Sequence, residues 1–374
     1  MENLSTEIGD GIHATPLYDD NGTYYFVNGN NISEYGITIT PTTQRVTEAE
    51  AYRNNANILC SKTILLSING TIGNVALYKG EPIMLGKSAC YINVSTKVNK
   101  HYIFHYLMMP KCQFYFTSEL TGTTIKNLSL KSVRRTKVSL PNLKEQNRIA
   151  QLFDAINERI VTQNKIIEDL KKLKSAIIDY AIDSLDADFV KFSSLYEMAG
   201  EGGTPTTSNV QFYDNGKIPF IKIDDLKQKY LTENKDFITE LGLQKSSAWL
   251  VPTRSILFSN GATIGGITIT TYPVCTKQGI LGIVPKQNID VEFLYYFMSS
   301  SYFKKAVSRI VTEGTMKTAY LKDINNILCP IPTEEKQQEI AKMPSALNSK
   351  IDIEQSILKQ LITQKRHLLR QMFI

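Results

Sequence analysis

The chain has 374 residues, of which 42% are hydrophobic and 21% charged, a balance typical of a globular protein with two or three domains. It lacks the roughly 18 consecutive apolar residues of a membrane span, and its five cysteines form no Cys-x-x-Cys pair, which argues against a zinc site or disulfide framework and favours a cytoplasmic protein. The net charge of +6 is spread along the chain, so any nucleic-acid surface must be a local patch within a folded domain.

The first half begins with short runs of β-branched and aromatic residues that are separated by Gly, Asn and Pro. Two of these runs, Tyr24 to Val27 and Ile64 to Ile68, have a composition typical of strands. After Pro141 the chain has no Gly or Pro up to residue 184, and its apolar residues recur with a helical period. The sequence therefore predicts a mixed α/β domain over residues 1–142 and a long helix over residues 143–184.

The second half repeats the same order of elements. The segment from Ile64 to Gly73 recurs, with substitutions, from Ile256 to Gly265 at an offset of 192 residues, and later blocks match at an offset of 191. Separate blocks in the same order at a nearly constant offset indicate a tandem duplication. A second α/β domain is therefore predicted over residues 185–332, followed by a second long helix over residues 333–374.

Both long helices carry apolar residues on one heptad seam that persists for about six heptads, which favours a two-helix coiled coil. Antiparallel pairing is the simplest closure. It predicts an α+β protein with two globular domains at opposite ends of the paired helices, related by a pseudo-two-fold axis. Pro344 is expected to kink or locally unwind the second helix. The predicted seam residues are Ile149, Phe153, Ile156, Ile160, Ile167, Leu170, Ile177, Ile340, Leu347, Ile351, Leu358, Leu361 and Leu368.

The sequence shows no catalytic constellation. It has no Walker-type phosphate loop, no nucleophile elbow and no amino-methyltransferase tetrapeptide. His101 and His105 have the spacing of a zinc helix but lack the adjacent glutamate that would act as base, so structural histidines are favoured. Asp225 and Lys227 have the residue types of a nuclease site at loose spacing. The chain by itself is predicted to be non-catalytic and to bind no metal or cofactor.

Candidate DNA-binding residues are more evident than catalytic ones. Residues 126–137 contain five cations and no acidic residue, directly after a Thr- and Gly-containing segment. Threonine hydroxyls and amides position DNA phosphates, and Lys and Arg neutralise them, although a solvated surface is the alternative. The predicted phosphate contacts are Thr123, Thr124, Lys126, Lys131, Arg134 and Arg135, and more weakly Thr315, Lys317 and Lys322. The predicted DNA contacts in other loops are Asn69, Thr71, Lys222, Asp224, Lys227, Asn260 and Thr263.

The order of motifs resembles that of a known family. A Pro-, Glu-, Gln-, Ile- and Ala-containing block opens each long helix, at residues 140–150 and 331–341. A Gly-Thr-Thr-Ile-Lys segment at 122–126, a Gly-Thr-Met-Lys segment at 314–317 and a Gly-Gly-Thr-Pro segment at 202–205 accompany these blocks. Together they resemble the DNA-specificity (S) subunits of type I restriction–modification systems, over essentially the whole chain.

The resemblance implies two target-recognition domains, each reading one half of an asymmetric, split DNA site, with the two helices as a spacer. It also implies that two methylation subunits, which carry S-adenosylmethionine, dock on the helices. Two restriction subunits optionally join and add ATP- and Mg-dependent cleavage. Apolar residues outside the seam, such as Leu152, Ile166 and Leu173, then offer a docking face.

Two alternatives remain open from the residues alone. The repeats are compatible with a coiled-coil scaffold that binds protein partners without touching DNA. They are also compatible with a standalone nuclease at Asp225 and Lys227, which predicts metal-dependent cutting by the purified chain.

Overall fold

The protein forms two compact units. The computed structural model describes residues 1–54, 56–122, 126–312 and 317–373. One unit comprises Met1–Lys165 and Gln355–Ile374, and the other comprises Ile166–Glu354. Each unit therefore combines one globular domain with parts of both long helices. The functional division into two recognition domains and two spacer helices stays a prediction.

The helices and strands of the first domain end at a long helix, α5. In chain order they are β1 Ser5–Asp10, β2 Tyr24–Val27, β3 Ile32–Ser33, β4 Gly36–Ile37, β5 Arg45–Val46, α1 Glu48–Arg53, β6 Thr63–Ser67, β7 Val75–Leu77, β8 Ile83–Leu85, β9 Ala89–Val94, α2 Lys100–Met108, α3 Pro110–Ser118, β10 Leu120–Thr121, β11 Asn127–Leu128, α4 Leu130–Arg135 and α5 Leu143–Asp183.

The second domain leads to a second long helix, α10. Its elements are β12 Asp188–Lys191, β13 Tyr196–Glu201, β14 Ile218–Ile221, β15 Tyr230–Leu231, β16 Asp236–Ile238, α6 Glu240–Gln244, β17 Ile256–Ser259, β18 Ile267–Thr270, β19 Cys275–Thr276, β20 Ile280–Pro285, α7 Val291–Ser299, α8 Ser301–Ile310, α9 Leu321–Ile324, β21 Leu328–Ile331 and α10 Glu334–Gln371.

The two domains have the same sheet topology. The main sheet has the order β1-β9-β6-β7 in the first domain and β13-β20-β17-β18 in the second, where β15 extends it. A smaller sheet has the order β5-β2-β8 in one domain and β16-β14-β19 in the other, with one antiparallel and one parallel pair in each. The duplicated sequence folds as a duplicated topology, and the predicted α+β class with two long helices is confirmed.

The repeated sequence block forms the centre of each main sheet. Every residue of β6 and of β17 is buried, as expected for a continuous apolar run that is covered on both faces. Helices α2 and α7 pack against these strands and contribute Phe104 and Phe293 to the respective cores. Residues of α5 join both cores, with Phe153 in the first and Ile182 in the second. The long helices are therefore integral parts of the domain cores.

A glutamine near the start of each long helix explains a repeated motif. The Gln146 side chain accepts a hydrogen bond from the Asn99 amide (3.0 Å) and donates one to the Pro141 carbonyl (2.8 Å). Gln337 does the same with the Asp290 amide (2.9 Å) and the Pro332 carbonyl (3.0 Å). Both glutamines are buried. Each one ties the start of a long helix to the preceding α2 or α7.

The long helices pair within each unit. In the first unit the rings of Phe153 on α5 and Phe373, just after α10, stack at 5.5 Å. In the second unit Lys174 on α5 donates to the Asn348 side chain on α10 (3.0 Å). The first part of α5 thus meets the last part of α10, and the last part of α5 meets the first part of α10, which is the antiparallel order.

The predicted seam residues lie on the inward faces of these helices. Ile149, Phe153, Ile160, Ile167 and Ile351 are buried, and Ile156, Leu170, Ile177, Ile340, Leu347, Leu358, Leu361 and Leu368 are half-buried. The predicted seam leaves out buried apolar residues of the domain cores, among them Ile178, Ile182, Leu369 and Phe373. In a straight helix, positions seven residues apart are rotated by about 20° around the axis for each heptad. Residues chosen on a strict seven-residue repeat therefore turn away from the buried face towards the helix ends.

Pro344 does not interrupt the second helix. It is buried, and α10 is continuous through it. The expected local unwinding was therefore wrong. The proline removes one backbone donor, and the residues on both sides of it are α-helical.

The two predicted structural histidines of α2 converge on one carboxylate of α5. His105 is fully buried, and its Nε2 lies 2.8 Å from Asp154, while His101 Nδ1 lies 2.7 Å from the other oxygen of Asp154. Burial lowers the pKa of His105, and its hydrogen bond to Asp154 offsets this only in part. Burial alone would raise the pKa of Asp154, but the two histidines outweigh it and hold that pKa well below its usual range.

This cluster predicts that the first unit loses stability in mild acid. A histidine whose pKa is lowered by folding binds fewer protons in the native state, so its contribution is complete above about pH 6.5 and is lost as the pH falls below that value. The Asp154 contribution is lost only below about pH 4. At the repeat offset of 191 residues, His105 corresponds to Tyr296 and Asp154 to Ser345 in the second unit. A tyrosine and a serine do not titrate between about pH 4 and pH 7.5. Replacing His105→Tyr together with Asp154→Ser is expected to flatten the decline between pH 7.5 and 5.5.

The measurement is urea unfolding of the full chain at several pH values, followed by hydrogen exchange at residues of α2. The single tryptophan, Trp249, lies in the second unit, so its fluorescence serves as an internal control for a unit without this cluster. Equal acid sensitivity of α2 and of the Trp249 signal would contradict the assignment to His105 and Asp154.

Candidate nucleic-acid interface

Two loops of the first unit lie side by side. The loop from β6 to β7 is joined to β11 by a bridge between Asn69 and Asn127 and by a hydrogen bond from the Leu128 amide to the Ile68 carbonyl (2.8 Å). Gly70 and Gly73 have φ values of +74° and +92°, which favour glycine in this tight turn. The predicted Thr-Ile-Gly loop and the segment containing Lys126 therefore form one surface.

A cleft of about 420 Å³ opens between these two loops. Asn69 and Lys126 line it, together with Gln113 and Thr117 of α3. Thr71 is exposed, but its hydroxyl donates to the Gly29 carbonyl (2.6 Å) and holds the turn. The cleft thus presents two side-chain amides, a cation and a hydroxyl, the donor types that contact phosphates and base edges.

The cationic side chains of helix α4 differ in their exposure. Lys131 and Arg135 are exposed. Arg134 is half-buried and donates to the Ile8 carbonyl on β1 (2.7 Å). This hydrogen bond gives Arg134 a structural role at β1, and its assignment as a DNA contact stays a prediction.

The second unit contains the same loop pair. The Ala319 amide donates to the Asn260 carbonyl (2.8 Å), and Gly261 bridges to Thr318. Asn260 itself is buried and donates from its side chain to the Ala319 carbonyl (3.2 Å). Its prediction as a DNA contact is corrected for this reason: the side chain joins the two loops. Thr263 is exposed at the turn.

The remaining cations of this loop pair are exposed. Lys317 directly follows the residues that the structure leaves out, and Lys322 lies over the Tyr320 ring at 5.5 Å. Thr123, Thr124 and Thr315, three of the predicted phosphate contacts, lie outside the described residues. Counted with the short helix that follows each loop pair, the described part of the second unit has Lys317 and Lys322, where the first unit has Lys126, Lys131, Arg134 and Arg135.

A second polar surface of this unit lies in the segment that follows β14. Lys222, Asp224 and Lys227 all line a depression of about 590 Å³ and are exposed. The Lys222 ammonium pairs with Asp236 at 2.7 Å, and its backbone amide donates to Asp225 (2.9 Å). The sequence predictions for these three residues thus fall on one surface with mixed charge.

Sequence reasoning missed a buried polar cluster next to this surface. Lys229 is buried, and its ammonium donates to the hydroxyls of Tyr296 (2.9 Å) and Ser345 (3.0 Å) and pairs with Glu292. The ring of Tyr230 lies 4.8 Å from the same ammonium. This cluster joins the strand side of the domain to α7 and α10. The only sequence signal for it is that Tyr296 and Ser345 occupy the repeat positions of His105 and Asp154.

Among the residues that the structure describes, no group of three or more His, Cys, Asp or Glu side chains is arranged to hold a metal ion. No described helix combines the length and apolar character that crossing a membrane requires.

Two copies of one α+β domain, each built onto parts of two long helices and each presenting the same loop pair, define an internally duplicated two-domain protein. Residues 11–172 and 186–363 match the model of the family described as type I restriction modification DNA specificity domain. The chain belongs to this family.

Named relatives agree with this assignment. The type I restriction enzyme MjaIX specificity subunit of Methanocaldococcus jannaschii is 32% identical over 173 residues, which cover 45% of this chain and 39% of that protein. The putative MjaX specificity subunit of the same organism is 24% identical over 321 residues, covering 80% and 73%. The EcoBI specificity subunit of Escherichia coli is 26% identical over 320 residues, covering 77% and 66%. The chain thus matches less than half of the first relative's length.

A solved structure supports the fold. The S subunit of a type I restriction–modification system from M. genitalium aligns with a TM-score of 0.60 at 18% identity, covering 100% of this chain and 94% of that one. At this identity the similarity concerns the fold alone.

Proposed function

We propose that this chain reads a bipartite, asymmetric DNA site, with one recognition domain for each half-site. The observation that supports this most directly is the repeated loop pair, because each unit presents exposed polar and cationic side chains from the same two loops. The proposed contacts are Asn69, Thr71, Lys126, Lys131 and Arg135 in the first unit, and Lys222, Asp224, Lys227, Thr263, Lys317 and Lys322 in the second. The half-sites are expected about one helical turn apart, ~34 Å, or a small multiple of it.

The proposal assigns catalysis to partner subunits. Two methylation subunits dock on the long helices and carry S-adenosylmethionine, and two restriction subunits optionally add ATP- and Mg-dependent cleavage. Exposed apolar side chains on the helices support a docking role: Leu152 and Val161 in the first unit, and Leu173, Met343 and Ile353 in the second. Large exposed apolar residues on a helix face are typical of protein–protein contact.

The test is selection from a randomised duplex library, with and without the methylation subunit, followed by sequencing of the bound fraction. Enrichment of two short words at a fixed spacing supports the proposal and names the target. A single contiguous word contradicts the bipartite reading. If no sequence is enriched even with the methylation subunit present, the result favours the scaffold alternative. Metal-dependent cutting of DNA by the purified chain would instead favour the nuclease alternative.

Neutralising the first loop pair is expected to weaken DNA binding without changing the selected sequence. The variant Lys126→Ala with Lys131→Ala removes two phosphate contacts, so the slope of log K against log salt is expected to fall by about 2. The matched control is Lys144→Ala with Lys165→Ala, which removes the same charge from exposed positions on α5 in the same unit. Binding isotherms between 50 and 300 mM salt give both slopes. An equal change in the control would show that net charge, not local contact, carries the effect.

A further inference from the structure

Helix α8 has a buried side and a cationic side. The ring of Phe303 is buried in the core of the second domain and lies 5.9 Å from the ring of Phe258 on β17. Val307, four residues later and therefore on the same side of the helix, is also buried. The helix contains no acidic residue. Its exposed cations, which we call the cationic face of α8, are Lys304, Lys305 and Arg309.

The cationic face has no ion-pair partner in the part of the chain that the structure describes: none of its three side chains forms an ion pair there. One carboxylate of α5, that of Asp179, accepts hydrogen bonds from the amide and the hydroxyl of Ser301 at the start of α8 (both 2.7 Å). At about 1.5 Å per residue, Ser301 lies about 12 Å from Arg309 along the helix axis. The cationic face is therefore available to an anion from outside the chain.

Helix α8 leads directly into the second loop pair. The amide of Thr312, two residues after the helix ends, donates to the Thr318 carbonyl (3.2 Å). Thr318 in turn bridges to Gly261 in the loop that follows β17. Arg309 is thus three residues away from a backbone contact of the loop pair. The second loop pair and the cationic face of α8 are therefore neighbours in the same unit.

The first unit shows which side of this helix borders the loop pair. At the repeat offset of 191 residues, Gln113 and Thr117 of α3 correspond to Lys304 and Ser308 of α8. Gln113 and Thr117 line the cleft between the two loops of the first unit. Lys304 and Ser308 are both exposed. The cationic face of α8 therefore begins at the side of the helix that corresponds to the cleft wall.

The two units carry most of the exposed cations beside their loop pairs on different helices. In the first unit these cations lie on α4, which follows the loop pair: Lys131 and Arg135. The α3 residues at the repeat positions of Lys305 and Arg309 are uncharged. In the second unit α9, the counterpart of α4, has the single lysine Lys322, whereas α8 has three cations. Each unit thus has several cations next to its loop pair, supplied by the helix after it in one unit and by the helix before it in the other.

We propose that the cationic face of α8 binds DNA phosphates beside the half-site that the second domain reads. Lys and Arg neutralise phosphates and release the counterions of DNA, and such contacts fix the position of the duplex without reading bases. DNA is favoured over an acidic polypeptide because the cationic face adjoins the loop pair of the proposed DNA interface. The inference rests on the proposed function and adds to it residues that the sequence did not single out.

The test compares charge variants on a duplex that carries the selected bipartite target, with the methylation subunit present in every arm. In the variant Lys305→Ala with Arg309→Ala, the slope of log K against log salt is expected to fall by about 2. Its affinity at 150 mM salt is expected to fall at least tenfold, with the same target words selected. The exchange Lys305→Arg with Arg309→Lys keeps both charges and is expected to retain the parent slope.

The matched control is Lys286→Ala with Lys342→Ala, which removes the same charge from exposed positions of the second unit. Lys286 follows β20 at the end of the main sheet remote from the loop pair. The control is expected to retain the parent slope. A parent slope in the Lys305 and Arg309 alanine variant, or an equal fall in the control, overturns this inference and leaves the proposed function intact.

Interference by phosphate ethylation locates the contacts on the DNA. With the parent chain, ethylated phosphates that block binding are expected in both half-sites. With Lys305→Ala and Arg309→Ala, one or two of these phosphates in a single half-site are expected to stop interfering, and those of the other half-site to be unchanged. Loss of interference spread over both half-sites would contradict a local contact. Failure of the parent chain to bind any duplex overturns the proposed function and this inference with it.

Discussion

Replacing Lys229 by methionine is expected to lower the free energy of unfolding of the second unit by about 3–5 kcal/mol. The ammonium group is buried, donates to Tyr296 and Ser345 and pairs with Glu292. Its removal leaves the carboxylate of Glu292, which is mostly buried, without its cation, and that uncompensated charge is the main cost. Urea unfolding monitored by the fluorescence of Trp249, which lies in the same unit, measures the loss.

Two further variants separate this explanation from a general effect of removing a lysine. Lys227→Met changes an exposed lysine two residues away and is expected to stay within about 0.5 kcal/mol of the parent. The double variant Lys229→Met with Glu292→Leu removes both charges and is expected to recover much of the stability, because an apolar pair of similar volume avoids the desolvation cost. If the double variant is no more stable than the single one, packing rather than charge explains the effect.

The Lys229 cluster shows where sequence reasoning reached its limit. In the sequence, Lys229 lies between polar residues and looks like part of an exposed charged loop. Its burial follows from Tyr296 on α7 and Ser345 on α10, which are 67 and 116 residues away along the chain. A heptad pattern reports on neighbours three and four residues apart and carries no signal for such a contact. The repeat alignment places Tyr296 and Ser345 at the positions of His105 and Asp154, and the structure shows that both pairs join a domain helix to a long helix.

The elements that were predicted correctly have strong local patterns. The two central strands are continuous apolar runs in duplicate, and the long helices lack Gly and Pro over a long periodic segment. The candidate DNA contacts stay predictions, because a polar loop residue has the same appearance in a sequence whether it faces solvent or backbone. Asn260 and Arg134 illustrate this, since both hydrogen-bond to carbonyl groups within the fold.

Replacing Phe153 by alanine is expected to destabilise the first unit by about 3–5 kcal/mol. The side chain is fully buried, its ring stacks on Phe373 at 5.5 Å, and it lies 5.2 Å from the ring of His105. The substitution removes apolar contacts between α5, α2 and the end of the chain, and it leaves a cavity that the surrounding helices fill only in part. Hydrogen exchange at α2 in the full chain measures the loss, with Trp249 fluorescence following the second unit.

A substitution at Leu152, the residue before Phe153, distinguishes an effect on folding from an effect on docking. Leu152 lies on the same helix and is 39% exposed, so Leu152→Ala is expected to change stability by less than about 1 kcal/mol. If the exposed apolar face of α5 binds the methylation subunit, Leu152→Ala weakens that complex while DNA binding by the free chain is retained, whereas Phe153→Ala weakens both. Equal loss of partner binding and of stability in the two variants would place Leu152 in the fold and leave the docking surface elsewhere on the helices. Pull-down and unfolding measurements on the same preparations distinguish these outcomes.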